Sequence, residues 1–172
     1  MLDLSTEQTF KPLLNSRRPE ILSWLFFVVV VGVMIYFPSS GIGRVGGYLL
    51  AAFFLLSAGA MSLANWQNRK TTLSLSKKGI RFENGIQKVW MPWETINRIE
   101  VYSGRVNDKI RVKSSDQYFA FDMYNEVVLN GQRRGEVGFE QGELILKTIL
   151  QQANIDVTQK RHADGYDYYS RK

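Results

Sequence analysis

The chain has 172 residues, a formal charge of +6 at pH 7, no cysteine and a single histidine, His162. That composition excludes disulfides, thiolate metal sites, cysteine nucleophiles and histidine metal clusters within one chain, and the place of His162 inside a polar tail argues against a serine-histidine triad. The length leaves room for one small domain once the apolar segments described next are set aside.

Residues 1–20 form a leader of mixed charge with a short apolar patch at Phe10, Leu13 and Leu14. Pro12 and Pro19 favour a mobile leader over an interfacial helix. Two apolar stretches follow, Ile21 to Phe37 and Val45 to Leu63, within a hairpin spanning 21–68. A helix crossing the hydrocarbon core of a bilayer needs about 20 such residues, and about 17 at the low end. Phe26 to Met34 and Leu49 to Leu56 are apolar on all sides, unlike a half-exposed amphipathic helix. Trp24, Tyr36, Tyr48 and Trp66 stand near the ends of the stretches, where amphipathic rings prefer the headgroup level. The first stretch begins too late and lacks a small-x-small pattern after Met34, so it is retained rather than cleaved.

Lys11, Arg17 and Arg18 precede the hairpin, Arg69, Lys70, Lys77 and Lys78 follow it, and the connection carries only Arg44. That asymmetry predicts an integral membrane protein with two spans and both termini cytoplasmic, in a bacterial inner membrane. Gly41 to Gly46 satisfies G-x-G-x-x-G. No strand precedes it and no acidic ribose partner follows a second strand, so it does not read as a dinucleotide loop. Gly43, Gly47 and Ala51 instead recur every four residues as a small-residue stripe for close helix packing.

Beyond Arg69 the period becomes alternating. Strands are predicted over Thr71 to Ser76, Ile80 to Glu83, Ile86 to Trp90, Asn97 to Tyr102, Lys109 to Lys113 and Gln117 to Phe121, with a seventh over Glu126 to Leu129. Asn84-Gly85 predicts a two-residue hairpin turn with Ile86 opening the next strand. Met91-Pro92-Trp93-Glu94 makes a corner, and Trp93 is expected to turn inward toward Ile99 and Ile145 or Ile149. Leu144, Ile145, Thr148 and Ile149 repeat at helical spacing, which predicts an amphipathic helix over Glu140 to Gln152 with Glu140 and Glu143 suiting its first turn. The domain is thus expected over 69–155, and the remainder, 156–172, as a poorly ordered polar tail.

Two membrane helices leading directly into "TTLSLSKKGIRFENGIQKVWMPWETINRIEV" resemble the bacterial membrane proteins with a pleckstrin-homology-like cytoplasmic domain, through Gly79, Pro92, Trp93, Glu94 and Ile96. The resemblance implies a membrane α-helical hairpin followed by a small α+β domain, an antiparallel barrel of six or seven strands capped by a C-terminal helix. It also implies a membrane-tethered interaction module. Ser16-Arg17-Arg18 before the first span resembles, in addition, the photosystem I assembly factor with two N-terminal helices, whose basic Phe-Pro-Gly segment is missing here.

The carboxylates Glu94, Asp116 and Asp122 are scattered, and each suits a turn or helix cap better than a proton transfer, so no catalytic, cofactor or metal site is expected. Basic residues are spread singly without a nucleic-acid motif, so no nucleic-acid partner is expected. The expected role is a non-catalytic module holding a protein partner, or stabilising a membrane assembly or homo-oligomer, at the cytoplasmic surface. The alternative is recognition of anionic membrane lipids through Lys77, Lys78, Arg81 and Lys88, each basic residue near such a surface contributing about 1 kcal/mol.

Overall fold

The computed structural model describes residues 4, 6–14, 16–37, 44–103, 108–129, 132–155, 160–161 and 167–170. The elements begin with strand β1 (Gln8–Phe10), helix α1 (Arg18–Tyr36) and helix α2 (Arg44–Lys70). Strands β2 (Thr72–Ser76), β3 (Gly79–Glu83) and β4 (Lys88–Pro92) follow, and a 3-10 turn, Trp93–Thr95, leads into β5 (Arg98–Ser103). Next come β6 (Asp108–Lys113), β7 (Tyr118–Asp122), β8 (Asn125–Leu129), β9 (Gln132–Val137), α3 (Gly142–Gln152), β10 (Lys160–Arg161) and β11 (Asp167–Ser170). The chain divides into two compact units, Ser16–Gln67 and the combination of Met1–Asn15 with Asn68–Lys172.

The first unit is the helical hairpin. Helix α1 starts three residues before the expected Ile21, because Pro19 sits in its first turn, where a missing N–H and a fixed φ cost nothing. No residue of α1 is buried, and Leu56 of α2 is 73% exposed. Both helices are long and apolar enough to cross a membrane. The expected turn at 38–43, including Gly43, lies outside the described residues.

The second unit is an α+β body. Strands β1-β2-β3-β4 form one antiparallel sheet, and β11-β5-β6-β7 form the other, with the two-residue β10 at its edge. Hairpin β8-β9 stands apart as a two-stranded ladder between β7 and α3. Alternation places Leu73, Leu75, Ile80, Phe82, Val89 and Met91 of the first sheet in one core with Ile99, Ile110, Val112, Phe119 and Phe121 of the second. Helix α3 adds Ile145, Ile149 and Leu150 to that core. Phe82 stacks on Phe119 with ring centroids 5.0 Å apart, tying the two sheets together.

Three expectations are corrected. The leader contributes β1, whose register runs Gln8↔Leu75 to Phe10↔Leu73, with Phe10 packed on the core and Leu4 buried in it. Part of the polar tail contributes β11, paired with β5 from Asp167↔Val101 to Ser170↔Arg98, with Tyr169 packed on the core. The leader is held by Leu4, Phe10 and its backbone ladder, and β11 by Tyr169 and its own ladder. The Asn84-Gly85 turn is also longer than expected. Gly85 has φ +83° but Asn84 does not adopt positive φ, so the two-residue turn geometry is not met. Asn84 instead accepts hydrogen bonds at Oδ1 from the N–H groups of Ile86 and Gln87, and β4 starts at Lys88 with Ile86 exposed at the tip.

Candidate functional site

Within the hairpin, Gly47 is buried against α1: a Cβ there would lie 2.9 Å from Met34 Sδ. Ala51 is half-buried one turn on, and Ala58 is fully buried two turns further. Small side chains on this face of α2 let α1 approach closely, and Phe26 stacks on Phe54 at 5.3 Å. A polar clasp closes the other end. Ser62 Oγ and Asn65 Nδ2 each donate to the Glu20 carboxylate at 2.7 Å, while Trp24 Nε1 donates to Ser62 Oγ at 3.1 Å. Arg17 lies 3.9 Å from the same carboxylate. Sequence reading missed this clasp. The signal was a carboxylate at the start of an apolar helix facing Ser62 and Asn65 near the end of the next.

The four basic residues singled out in the domain do not converge. Lys77 and Lys78 are exposed at the β2-β3 turn, whereas Lys88 opens β4 at the far end of β3, about 13 Å away at strand rise. Lys88 Nζ lies 2.7 Å from Glu83 and Arg81 lies 3.7 Å from it. The Lys88 hydrogen bond foremost, and the charges of Lys88, Arg81 and Lys70, hold the Glu83 carboxyl below its ordinary value against a smaller opposing effect of burial. Trp93 is 4% exposed, in the same core as Ile99, Ile145 and Ile149, and its indole N–H donates to the Ser76 carbonyl at 3.0 Å.

Among the described residues, the densest arrangement of charge is on the outward face of the second sheet. Register aligns Arg98, Lys113 and Tyr118 in one row, Glu100, Arg111 and Ala120 in the next, and Tyr102, Lys109 and Asp122 in the third. Glu100 points away from the hydrophobic core yet is only 1% exposed, because its cross-strand neighbours close over it. Lys113 Nζ binds Oε1 at 2.7 Å with Arg98 3.8 Å from the same oxygen. The Tyr102 hydroxyl donates to Oε2 at 2.8 Å with Arg111 3.7 Å from it. Burial, the largest single influence, pushes the Glu100 carboxyl up. The hydrogen bonds from Lys113 and Tyr102 and the charges of Lys113 and Arg111 together outweigh it, so the net displacement is downward.

Arg111 is the pivot of this face. Its guanidinium lies 5.0 Å from the Tyr102 ring centroid and 5.7 Å from that of Tyr118. Its Nε is buried without a hydrogen-bond partner, so the group is held by stacking and charge more than by hydrogen bonds. Arg98, Arg111 and Lys113 all lie within 3.8 Å of one carboxylate, so cations outnumber the carboxylate among these described contacts. Such a surface can hold anionic groups.

An open cleft of about 350 Å³ lies at the start of α3, lined by Met123, Tyr124, Leu144 and Lys147 with Glu140 and Glu143 at its rim. Among the described residues, no group of three or more His, Cys, Asp or Glu side chains is placed to hold a metal ion. No protein-family model matches the chain, and neither does any curated protein or solved structure.

Proposed function

We propose that the chain is a membrane-anchored, non-catalytic interaction module, with the helical hairpin crossing the bilayer twice and the α+β body holding a protein partner at the cytoplasmic surface. One observation carries the two-span topology in this proposal: β1, before the hairpin, pairs with β2, after it. A ladder of backbone hydrogen bonds requires both strands on the same side of any bilayer, so a hairpin that enters must also return. The apolar surface of α1, on which no residue is buried, supplies the reason to enter. The excess of Lys and Arg before α1 and after α2 favours the cytoplasm for that side.

The body is further proposed to be a pleckstrin-homology-like barrel. Sheet β2-β3-β4, the Pro92-Trp93 corner, sheet β5-β6-β7 and helix α3 follow its order, with hairpin β8-β9 inserted before the helix and β1 and β11 added at the edges.

The test is crosslinking and affinity capture from detergent extracts of cells expressing the full chain, together with reporters fused at both ends. A stoichiometric protein partner and reporters active only in the cytoplasm are expected. Reporters on opposite sides of the membrane, or a chain that captures only lipid, overturn the reading.

A further inference from the structure

We infer that the outward face of β5 and β6, centred on Arg111, is the docking surface for an acidic polypeptide segment of the partner. This inference rests on the interaction-module reading and names both the surface and its ligand chemistry. The face is flat, being one side of a sheet, so it suits an extended or broad partner surface and not a small enclosed ligand. Its exposed cations are fixed in place. Arg111 and Lys113 keep about a third of their side-chain surface open, at 36% and 34%, and Arg98 keeps 48%. Each is oriented by the buried Glu100 beneath it, so part of the entropy of ordering three long side chains is lost on folding and not on binding.

The charge count also favours an acidic ligand. Arg111 and Lys113 both lie against Glu100, so the cations at the centre of this face outnumber the carboxylate that orients them, and the excess is complemented by carboxylates of a partner. Tyr102 and Tyr118 flank Arg111, and Tyr118 is 58% exposed. Tyr and Arg together are the side chains most enriched where interfaces concentrate their binding energy. By contrast, Arg81 and Lys88 are committed to Glu83, and Lys77 and Lys78 stand on a turn without an organising partner.

The test uses the full chain in neutral lipid nanodiscs, with a short fluorescent oligoglutamate peptide as the probe and anisotropy as the readout. Binding that weakens as salt rises is expected. Arg111→Gln with Lys113→Gln should lower affinity by about tenfold or more, whereas Lys77→Gln with Lys78→Gln, which removes the same charge, should change it less than about twofold. If the first pair prevents folding, Tyr118→Ala decides: severalfold weaker binding with an unchanged melting point upholds the surface, and unchanged binding overturns it. Equal losses from both pairs, or no oligoglutamate binding, also overturn it. Displacement of the probe by phosphatidylserine vesicles at lower anion concentration than by free oligoglutamate overturns the assignment to a polypeptide. A partner captured equally by wild type and by Arg111→Gln sinks this surface and leaves the module reading standing. Arg111-dependent oligoglutamate binding by a chain that captures no partner upholds the surface and sinks the module reading.

Discussion

The Trp93 indole N–H donates to the backbone carbonyl of Ser76 at 3.0 Å, so the corner residue between the two sheets is pinned to the end of β2. The ring is buried with Ile96, Ile99, Ile145 and Ile149, and its removal opens a cavity where the two sheets and the helix meet. Trp93→Ala is expected to cost about 3 to 5 kcal/mol, and Trp93→Phe, which keeps most of the volume but removes the hydrogen bond to the Ser76 carbonyl, about 1 kcal/mol. Chemical denaturation of the full chain in detergent, followed by tryptophan-independent circular dichroism, measures both. A Trp93→Ala midpoint equal to wild type would place the ring outside the core.

Glu100 makes stability depend on pH in a defined direction. Its folded carboxyl titrates below the unfolded one, so the folded state gains from deprotonation. That contribution is complete above the ordinary carboxylate range and is lost as pH falls through the lowered folded value. Glu100→Gln, which leaves Arg98, Arg111 and Lys113 repelling one another, should cost about 2 kcal/mol at neutral pH. The difference from wild type should shrink as pH is lowered. Midpoints measured at neutral and acid pH check this, and a gap that widens in acid contradicts it.

Gly47 sets the spacing of the helical hairpin. Leucine there would drive its Cβ into Met34, a long flexible side chain that can yield only in part. Gly47→Leu is expected to destabilise the hairpin by about 1 to 3 kcal/mol, and Met34→Ala in the same chain to restore part of the loss. Resistance to unfolding in increasing SDS fraction reports on it; no effect in the single variant would show that the two side chains do not meet.

Strand β11 covers the edge of β5. Truncation after Ile155 should uncover a row of unpaired backbone groups and the core around Tyr169, lowering stability and promoting association of chains edge to edge. Tyr169→Ala alone should cost about 1 to 2 kcal/mol. Sedimentation of the truncated chain against wild type, at matched detergent, distinguishes an uncovered edge from a harmless loss.

Strong local patterns were legible in the sequence. The all-apolar runs of α1 and α2, the alternation of β2 to β7 and the helical spacing of Ile145, Thr148 and Ile149 each repeat within a few residues, and the structure places an element on every one. Strands β1, β9 and β11 were not legible, because pairing with a neighbour defines them more than an apolar face does. Gln132–Val137 has no alternation at all, and β1 and β11 each bury one aromatic ring. Alternation along Asn97 to Tyr102 puts Glu100 on the outward face beside Arg98. Its burial was invisible, since its ion-pair partners Arg111 and Lys113 are brought to it only by the β5-β6 register.

The ladder between β1 and β2 also orders the events of synthesis. Thr9 and Ser74, whose hydroxyls lie 2.8 Å apart, are 65 residues apart in the chain, and both apolar helices lie between them. A growing chain therefore holds β1 as an unpaired strand until the helices have been made and β2 has emerged on the same side. Such distant pairings come late in folding. On the proposed two-span topology, a chain whose hairpin is not seated would carry an open edge on β2 and leave Phe10 off the core, so completion of the first sheet would follow insertion of the hairpin.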